Sequence, residues 1–290
     1  MNKNNLVKWA LFFLLALIWG SSFILMKEGL KGLNAYQVAS LRILSAGIIL
    51  LPFLGKALSA VPKKKFAPII LSGFLGTFFP AFFFCIAETK IDSSLAGVLN
   101  ALTPICTLAI GMAFFKLKIG WLKWVGMLLG LCGMVILLLG GSQQISANYL
   151  GYTLFVLLAT VCYGLNVNVA NRYFKEFSPL HIVTIAFTAL IIPTVLILAF
   201  TGFFSNIDIS NQVWIKSASS SILLGVAGTC LASVIFYTLL KKAGPVFASM
   251  VTYGIPFVAF FWGFIAGEAV TIIQLSGLVV ILLGVRMVNK

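Results

Sequence analysis

Arg42 stands alone in a long apolar stretch, and its position suggests chemistry more strongly than that of any other residue in the sequence. A cation within a membrane-spanning helix costs about 2.5–3.5 kcal/mol on insertion scales, and such residues usually face a bundle interior or a cavity. One interpretation is a fixed positive charge that binds the carboxylate or phosphate of a solute. The other is a structural anchor to backbone carbonyls or lipid headgroups, with the charged end reaching toward water.

Polar and aromatic side chains at helical spacing form a second group of candidates. Asn100 and Thr103 share a face of one apolar stretch, and Tyr163 and Asn166 share a face of another. Polar groups without partners are costly in hydrocarbon, so these faces should turn inward, either to line a cavity or to form interhelical hydrogen bonds. The predicted substrate-binding set is Trp19, Ser22, Arg42, Asn100, Thr103, Tyr163, Asn166 and Tyr253.

The carboxylates offer no confident proton site. All 6 acidic residues lie at the ends of apolar stretches or between them, whereas membrane proton relays normally use embedded Asp, Glu or His residues. Glu88 and Glu268, at the ends of the third and ninth predicted spans, are the candidate coupling residues. Facilitated diffusion, exchange and coupling through one of these carboxylates are all left open by the sequence.

The composition excludes most other chemistry. The chain is 61% hydrophobic and 9% charged, whereas a soluble domain has about 25% charged residues, so a soluble enzyme is excluded. The single His and the 5 cysteines, each inside an apolar stretch, form no metal-ligand or disulfide pattern. No GxxxxGK[ST] phosphate-binding loop is present. We therefore predict no catalytic residue, no metal, no cofactor and no enzymatic activity.

The apolar stretches predict an all-α membrane protein with ten transmembrane helices. Each stretch is continuous and about 20 residues long, which is the length of a helical crossing, and none alternates like a barrel strand. The predicted spans are 8–27, 35–54, 66–87, 94–115, 122–140, 149–170, 181–201, 217–240, 245–266 and 270–288.

The basic residues predict the orientation. The net charge is +14, but the cations lie between apolar stretches and form no stripe, so a nucleic-acid partner is rejected. With the N-terminus inside, 15 of the 20 Lys and Arg residues fall in inside segments and 4 in outside segments, as the positive-inside rule requires. We therefore expect a multi-pass inner-membrane protein with both termini in the cytoplasm.

The chain repeats itself in two halves, residues 1–145 and 146–290. Five spans in each half force the second half to enter the membrane from the opposite side, and such inverted repeats are typical of secondary transporters. In the first half Trp19-Gly20 corresponds to Tyr163-Gly164 in the second. With an offset of 152, the residues in register are Gly73 and Gly225, Gly76 and Gly228, Thr77 and Thr229, and Pro104 and Pro256.

Pro104 and Pro256 are candidate hinges, because they occupy corresponding positions within the fourth and ninth spans. Proline removes a backbone hydrogen bond and permits a kink. The pair could act as bending points for alternating access, or as static kinks that shape the packing.

The order of several short motifs resembles the drug/metabolite transporter superfamily in its EamA-type ten-helix branch, over nearly the whole chain. The motifs are Trp19-Gly20-Ser21-Ser22-Phe23, Leu41-Arg42, the stretch from Ala248 through Pro256 to Gly267-Glu268, and Gln274, Gly277 and Gly284. The family often has a second Gly-Glu pair after the fourth span, where this chain has Phe115-Lys116. The resemblance implies transport of small metabolites, amino acids or amphiphilic toxins, often as efflux.

The predicted function is therefore a secondary transporter of small organic metabolites such as amino acids, working by alternating access through a central cavity. Its partners would be a small solute and the lipid bilayer, with the chain as a monomer or homodimer. The alternative is an integral-membrane enzyme or channel that acts on lipid or ions, but one His and scattered carboxylates supply no cluster for such chemistry.

The orientation makes the first prediction. Lys64 and Lys118 should lie on the same side of the membrane, because both fall in loops assigned to the inside. An impermeant amine reagent applied to sealed vesicles of known orientation should label both from one side only. Labelling of the two lysines from opposite sides would contradict the ten-span topology.

Overall fold

Helices make up the secondary structure throughout the described part of the chain. The computed structural model describes residues 3–91, 93–139, 150–258 and 271–288, and within these ranges it has helices and turns and no strand. The physical reason is that hydrocarbon supplies no partner for backbone N–H and C=O groups, and a helix satisfies them within one segment. The predicted all-α class is confirmed for these residues.

The first half of the chain contains eight α-helices in its described part. A 3₁₀ turn joins α2 to α3, and π-helical turns at Phe74–Phe78 join α4 to α5, so each pair continues as one longer segment. The helices are α1 (Lys3–Gly29), α2 (Ala35–Leu50), α3 (Leu54–Ala60), α4 (Phe66–Gly73), α5 (Phe79–Ala87), α6 (Ser93–Asn100), α7 (Thr103–Phe115) and α8 (Trp121–Leu139).

The described part of the second half also contains π-helical and 3₁₀ turns between α-helical segments. π-helical turns at Leu224–Leu231 lead into the helix that follows them, and a 3₁₀ turn at Met250–Tyr253 comes after that helix. The helices are α9 (Leu150–Tyr173), α10 (Pro179–Ala189), α11 (Ile191–Phe200), α12 (Gln212–Leu223), α13 (Ala232–Ser249) and α14 (Ile272–Val288).

Six helical segments of the described chain are long and apolar enough to cross a bilayer, so the protein is a multi-pass membrane protein. The last of them has 47 residues, more than twice the roughly 20 that one crossing needs. Gly244 divides it, because its φ of 81° and ψ of 173° are not helical. The count of ten spans stays a prediction. The six segments are Asn5–Gly29, Ala35–Ala60, Lys63–Ala87, Gly151–Tyr173, Pro179–Phe200 and Gln212–Val258.

The fourth predicted span, 94–115, is not one continuous helix. It is broken between α6 and α7 by a turn at Ala101 and Leu102, and Pro104 lies in the first turn of α7. The physical reason is that proline fits the start of a helix, where its missing N–H is not needed. In the ninth predicted span the 3₁₀ turn at Met250–Tyr253 likewise precedes Pro256. Residues 259–270, and with them Glu268, lie outside the described residues.

Glycines let α8 pack closely against α14. A Cβ atom at Gly284 would lie 2.5 Å from the carbonyl oxygen of Gly126 and 2.6 Å from the backbone nitrogen of Gly130. A Cβ at Gly133 would lie 2.8 Å from the carbonyl oxygen of Gly277. Small residues drive association in membranes by letting backbones approach, so these glycines hold the last helices of the two halves together.

This packing predicts the effect of adding one methyl group. Gly284→Ala should destabilise the protein by about 1–3 kcal/mol, because the new Cβ meets backbone atoms that cannot rotate away. Gly55→Ala is the matched control. It also lies in a helix but has no atom within 4 Å of its Cβ position, so it should be neutral or slightly stabilising. Thermal unfolding of both purified variants in detergent measures the difference, and equal midpoints would contradict the contact.

Candidate functional site

A cavity lies where helices from the two halves of the chain meet. Its walls come from α1, α2, α5, α9 and α13, from the π-helical turns Phe74–Phe78, and from the residues beside the breaks that precede Pro104 and Pro256. The atom-free space, including its solvent-exposed part, is about 860 Å³. No Asp or Glu is found among the described residues that line it.

Seven of the eight predicted substrate-binding residues lie in the wall of this cavity. The exception is Tyr253, whose hydroxyl donates a hydrogen bond of 2.9 Å to the carbonyl oxygen of Met127. Its ring packs against Gly130 of α8, and the residue is not part of the lining. The seven lining residues are Trp19, Ser22, Arg42, Asn100, Thr103, Tyr163 and Asn166.

The remaining predicted residues lie beside the cavity or beyond the described chain. Pro104 and Pro256 do not line it but directly follow the lining residues Thr103 and Ile255. Glu88 is buried at the end of α5, where its carboxylate accepts a hydrogen bond of 3.2 Å from Ser93, and it is not part of the lining.

Arg42 is held at the cavity wall by a partner from the other half of the chain. Its Nε donates a hydrogen bond of 2.7 Å to Oγ1 of Thr229, in the π-helical segment Leu224–Leu231. Gly225 of that segment has no side chain to collide with the backbone of Arg42 or with Ser45, so α2 can approach this closely. The Nη groups make no hydrogen bond to the described residues, and they carry the N–H donors that suit a bidentate anion.

Aromatic side chains form the apolar walls. The Trp19 indole N–H donates a hydrogen bond of 3.1 Å to the carbonyl oxygen of Gly228, and its ring lies 5.5 Å from that of Phe236. Phe84 lies 6.2 Å from the Tyr163 ring and 6.1 Å from the Phe23 ring. These ring-to-ring distances are typical of favourable aromatic pairs, and the rings present flat apolar surfaces to a solute.

The break between α6 and α7 places polar groups in the wall. The Thr103 hydroxyl donates to the Asn100 carbonyl oxygen at 2.7 Å and lies 3.0 Å from the Asn100 side-chain oxygen. A broken helix exposes backbone groups that must be satisfied, and membrane proteins tolerate this only in contact with protein or a water-filled cavity. The break therefore fits a polar chamber at this depth.

Several lining residues were not predicted from the sequence. Phe84 and Phe236 both line the cavity and are in register at the repeat offset of 152, so the repeat itself was the signal that could have found them. Tyr237 gave no such signal, because its partner Ser72 is 165 residues away in the chain.

Comparison with known proteins places this architecture in a family. The family model described as "EamA-like transporter family" matches the chain twice, over residues 7–139 and 150–290. A solved crystal structure with 16% sequence identity superposes with a TM-score of 0.73, over 96% of this chain and 94% of the other, which supports the fold.

Two curated relatives carry transporter names. The uncharacterized inner membrane transporter YedA of Escherichia coli K12 is 27% identical over 285 residues, 96% of this chain and 89% of YedA. The S-adenosylmethionine/S-adenosylhomocysteine transporter of Chlamydia trachomatis serovar L2 is 25% identical over 266 residues, 88% of this chain and 80% of that transporter. These names point to transporters and not to enzymes. Because the family model matches most of its length, in two copies, this chain belongs to the EamA-like transporter family.

Proposed function

We propose that the chain is a secondary transporter of the inner cell membrane that moves small organic metabolites, such as amino acids, through the central cavity by alternating access. The observation that carries the proposal is a cavity between the two halves whose wall combines one cation, several aromatic rings and a few polar side chains.

Alternating access requires two halves that can exchange roles, and paired contacts support an inverted repeat of residues 1–145 and 146–290. A side chain at Gly76 would collide with Asn166, whereas one at Gly228 would collide with Ser22. Gly228 corresponds to Gly76 at the offset of 152, and Asn166 corresponds to Ser22 at the offset of 144 that relates Trp19 to Tyr163. Each half therefore offers the same contact to the other, as expected for halves related by a two-fold axis.

The irregular helices also occur in pairs. The π-helical turns Phe74–Phe78 and Leu224–Leu231 occupy overlapping positions of the two halves, and so do the breaks before Pro104 and Pro256. Such interruptions leave backbone groups whose partners can change, and π-helical turns are frequent at functional sites. We assign them to the segments that move between the two states.

The substrate class follows from Arg42 and the rings. A guanidinium with unused N–H donors binds carboxylate or phosphate bidentately, and stacking against Trp19 or Phe236 would favour an apolar or aromatic portion. Amino acids and their derivatives have this combination. S-adenosylmethionine, named for the chlamydial relative, also combines a carboxylate with an aromatic base.

The orientation with both termini in the cytoplasm is supported by contacts among the basic loops. Lys65 lies 5.5 Å from the ring centroid of Tyr173, and Lys241 lies 3.5 Å from the carbonyl oxygen of Phe177. The loops that were assigned to the inside, around residues 63–65, 172–177 and 241–242, therefore meet at one end of the molecule. Glu88, at the C-terminal end of α5, remains our candidate for proton coupling.

Arg42→Gln should weaken the binding of amino acids by about 10–100-fold, because a hydrogen bond to a charged partner contributes about 1.5–3 kcal/mol. A thermal-shift screen of the purified protein against a metabolite library identifies a ligand, and titration of that ligand and its carboxamide measures the change. The carboxamide should bind both proteins equally.

Lys216→Gln is the matched control, because it removes an exposed cation outside the cavity and should bind the ligand as the unaltered protein does. Equal loss of amino acid and carboxamide in Arg42→Gln would show that Arg42 supports the structure and does not bind the anion.

Pro104→Ala and Pro256→Ala test the hinge proposal. Each replacement should slow counterflow in proteoliposomes while leaving ligand affinity unchanged, because the binding groups stay in place and only the exchange between states is altered. A fully active double variant would refute the role of the prolines in bending.

A further inference from the structure

We infer that Tyr237, hydrogen-bonded to Ser72 and Asn166, is the gate that closes the cavity at its lysine-rich end. The inference rests on the proposed function, since a gate has meaning only for a cavity through which a solute passes. Tyr237 lines the cavity on one side and a small cleft on the other. Of the described residues, Tyr237 is the one that lines both the cavity and the cleft. We therefore infer that its side chain separates the two spaces.

Two polar groups from other helices hold Tyr237 in place, the hydroxyl of Ser72 and the side-chain amide of Asn166. The Ser72 hydroxyl donates to the Asn166 side-chain oxygen, and the Tyr237 hydroxyl lies 2.8 Å from the Ser72 hydroxyl and donates to the same Asn166 oxygen at 3.2 Å. The exposed fractions are 0% for Ser72, 5% for Asn166 and 8% for Tyr237. Because Ser72 is on α4 and the others are on α9 and α13, this cluster ties the two halves of the chain together.

The cleft beyond Tyr237 leads toward the side that we propose to be cytoplasmic. It is lined by Lys175 and Lys241 together with apolar residues of the loop between α9 and α10. Lys241 also lies 3.5 Å from the carbonyl oxygen of Phe177 in that loop. An anionic solute that leaves Arg42 would therefore meet two further cations once Tyr237 moves aside.

A different contact joins the halves at the opposite end, where the Ser217 hydroxyl donates to the carbonyl oxygen of Glu28 at 2.8 Å and accepts from the N–H of Gly32 at 2.9 Å. The positions that correspond to the Tyr237 cluster by the repeat do not form a second copy of it. At the repeat offsets, Ser72 corresponds to Leu224, Asn166 to Ser22 and Tyr237 to Cys85. Leu224 has no polar side-chain group, and the Ser22 hydroxyl donates within its own helix, to the carbonyl oxygen of Ile18 at 2.8 Å. The Cys85 sulfur lies 3.4 Å from the Met26 sulfur, which is a weak contact within the first half.

The cluster contributes to the balance between the two states, because its hydrogen bonds between the halves stabilise closure at the lysine-rich end. We therefore expect removal of the Tyr237 hydroxyl to increase opening there. Each hydrogen bond of this kind contributes a factor of about 2–10 to such an equilibrium.

Cysteine accessibility tests the gate without any solute. Ser233→Cys places a thiol in the cavity wall one helical turn before Tyr237, in a background where Ala replaces the native cysteines. An impermeant maleimide is applied to vesicles whose lysine-rich face is outside. Tyr237→Phe and Ser72→Ala should each raise the labelling rate about fivefold to tenfold. The replaced cysteines are Cys85, Cys106, Cys132, Cys162 and Cys230.

Tyr253→Phe is the matched control, because it also removes a buried tyrosine hydroxyl that makes a hydrogen bond. That bond goes to the carbonyl oxygen of Met127 on α8, away from the Tyr237 cluster. The labelling rate of this control should equal that of the parent. Unchanged labelling in both Tyr237→Phe and Ser72→Ala would overturn the gate, and so would equally fast labelling in Tyr253→Phe.

The same variants separate the gate from the proposed function. Faster labelling of Tyr237→Phe and Ser72→Ala, with no metabolite transported by the parent protein, would support the gate and refute the proposed transport. Metabolite transport with labelling rates that do not respond to either replacement would support the transport and refute the gate.

Discussion

Hydrocarbon offers no hydrogen-bond partner, and this constraint governs the whole structure. It makes the described backbone helical, and it forces polar side chains to find partners inside the bundle. Asn168 illustrates this, since its side-chain nitrogen donates to the carbonyl oxygens of Thr107 at 2.7 Å and Gly164 at 2.8 Å. Other polar residues, among them Arg42 and Asn100, line the cavity that several helices enclose.

The π-helical segment Leu224–Leu231 positions two of the residues that line the cavity. Its Thr229 hydroxyl accepts from Arg42, and its Gly228 carbonyl accepts from Trp19. Glycine at position 225 lets α2 approach closely enough for the first contact. The charged and the aromatic walls of the cavity therefore depend on one segment of the opposite half.

Much of the site could be predicted from local pattern, because helical spacing and the cost of exposed polar groups indicate which faces turn inward. The structure places Arg42, Asn100 and Tyr163, which this reasoning selected, in the cavity wall. It places Tyr253 against α8 instead, because an inward face can pack against a neighbouring helix as well as line a cavity. The same reasoning missed Tyr237, because the hydrogen bonds of that residue join positions far apart in the chain.

The amino-acid sequence alone determined the membrane class, the helical secondary structure, the two matched halves and the EamA-type family. These properties follow from the length of the apolar stretches, the positions of the charged residues and the repeated motifs, all of which can be read from the sequence without its tertiary structure. Only the tertiary structure decided which inward faces meet, that Arg42 is held by Thr229, and that Ser72, Asn166 and Tyr237 form one cluster. The physical reason is that hydrogen bonds between helices depend on their relative position and rotation, which packing of the complete bundle sets.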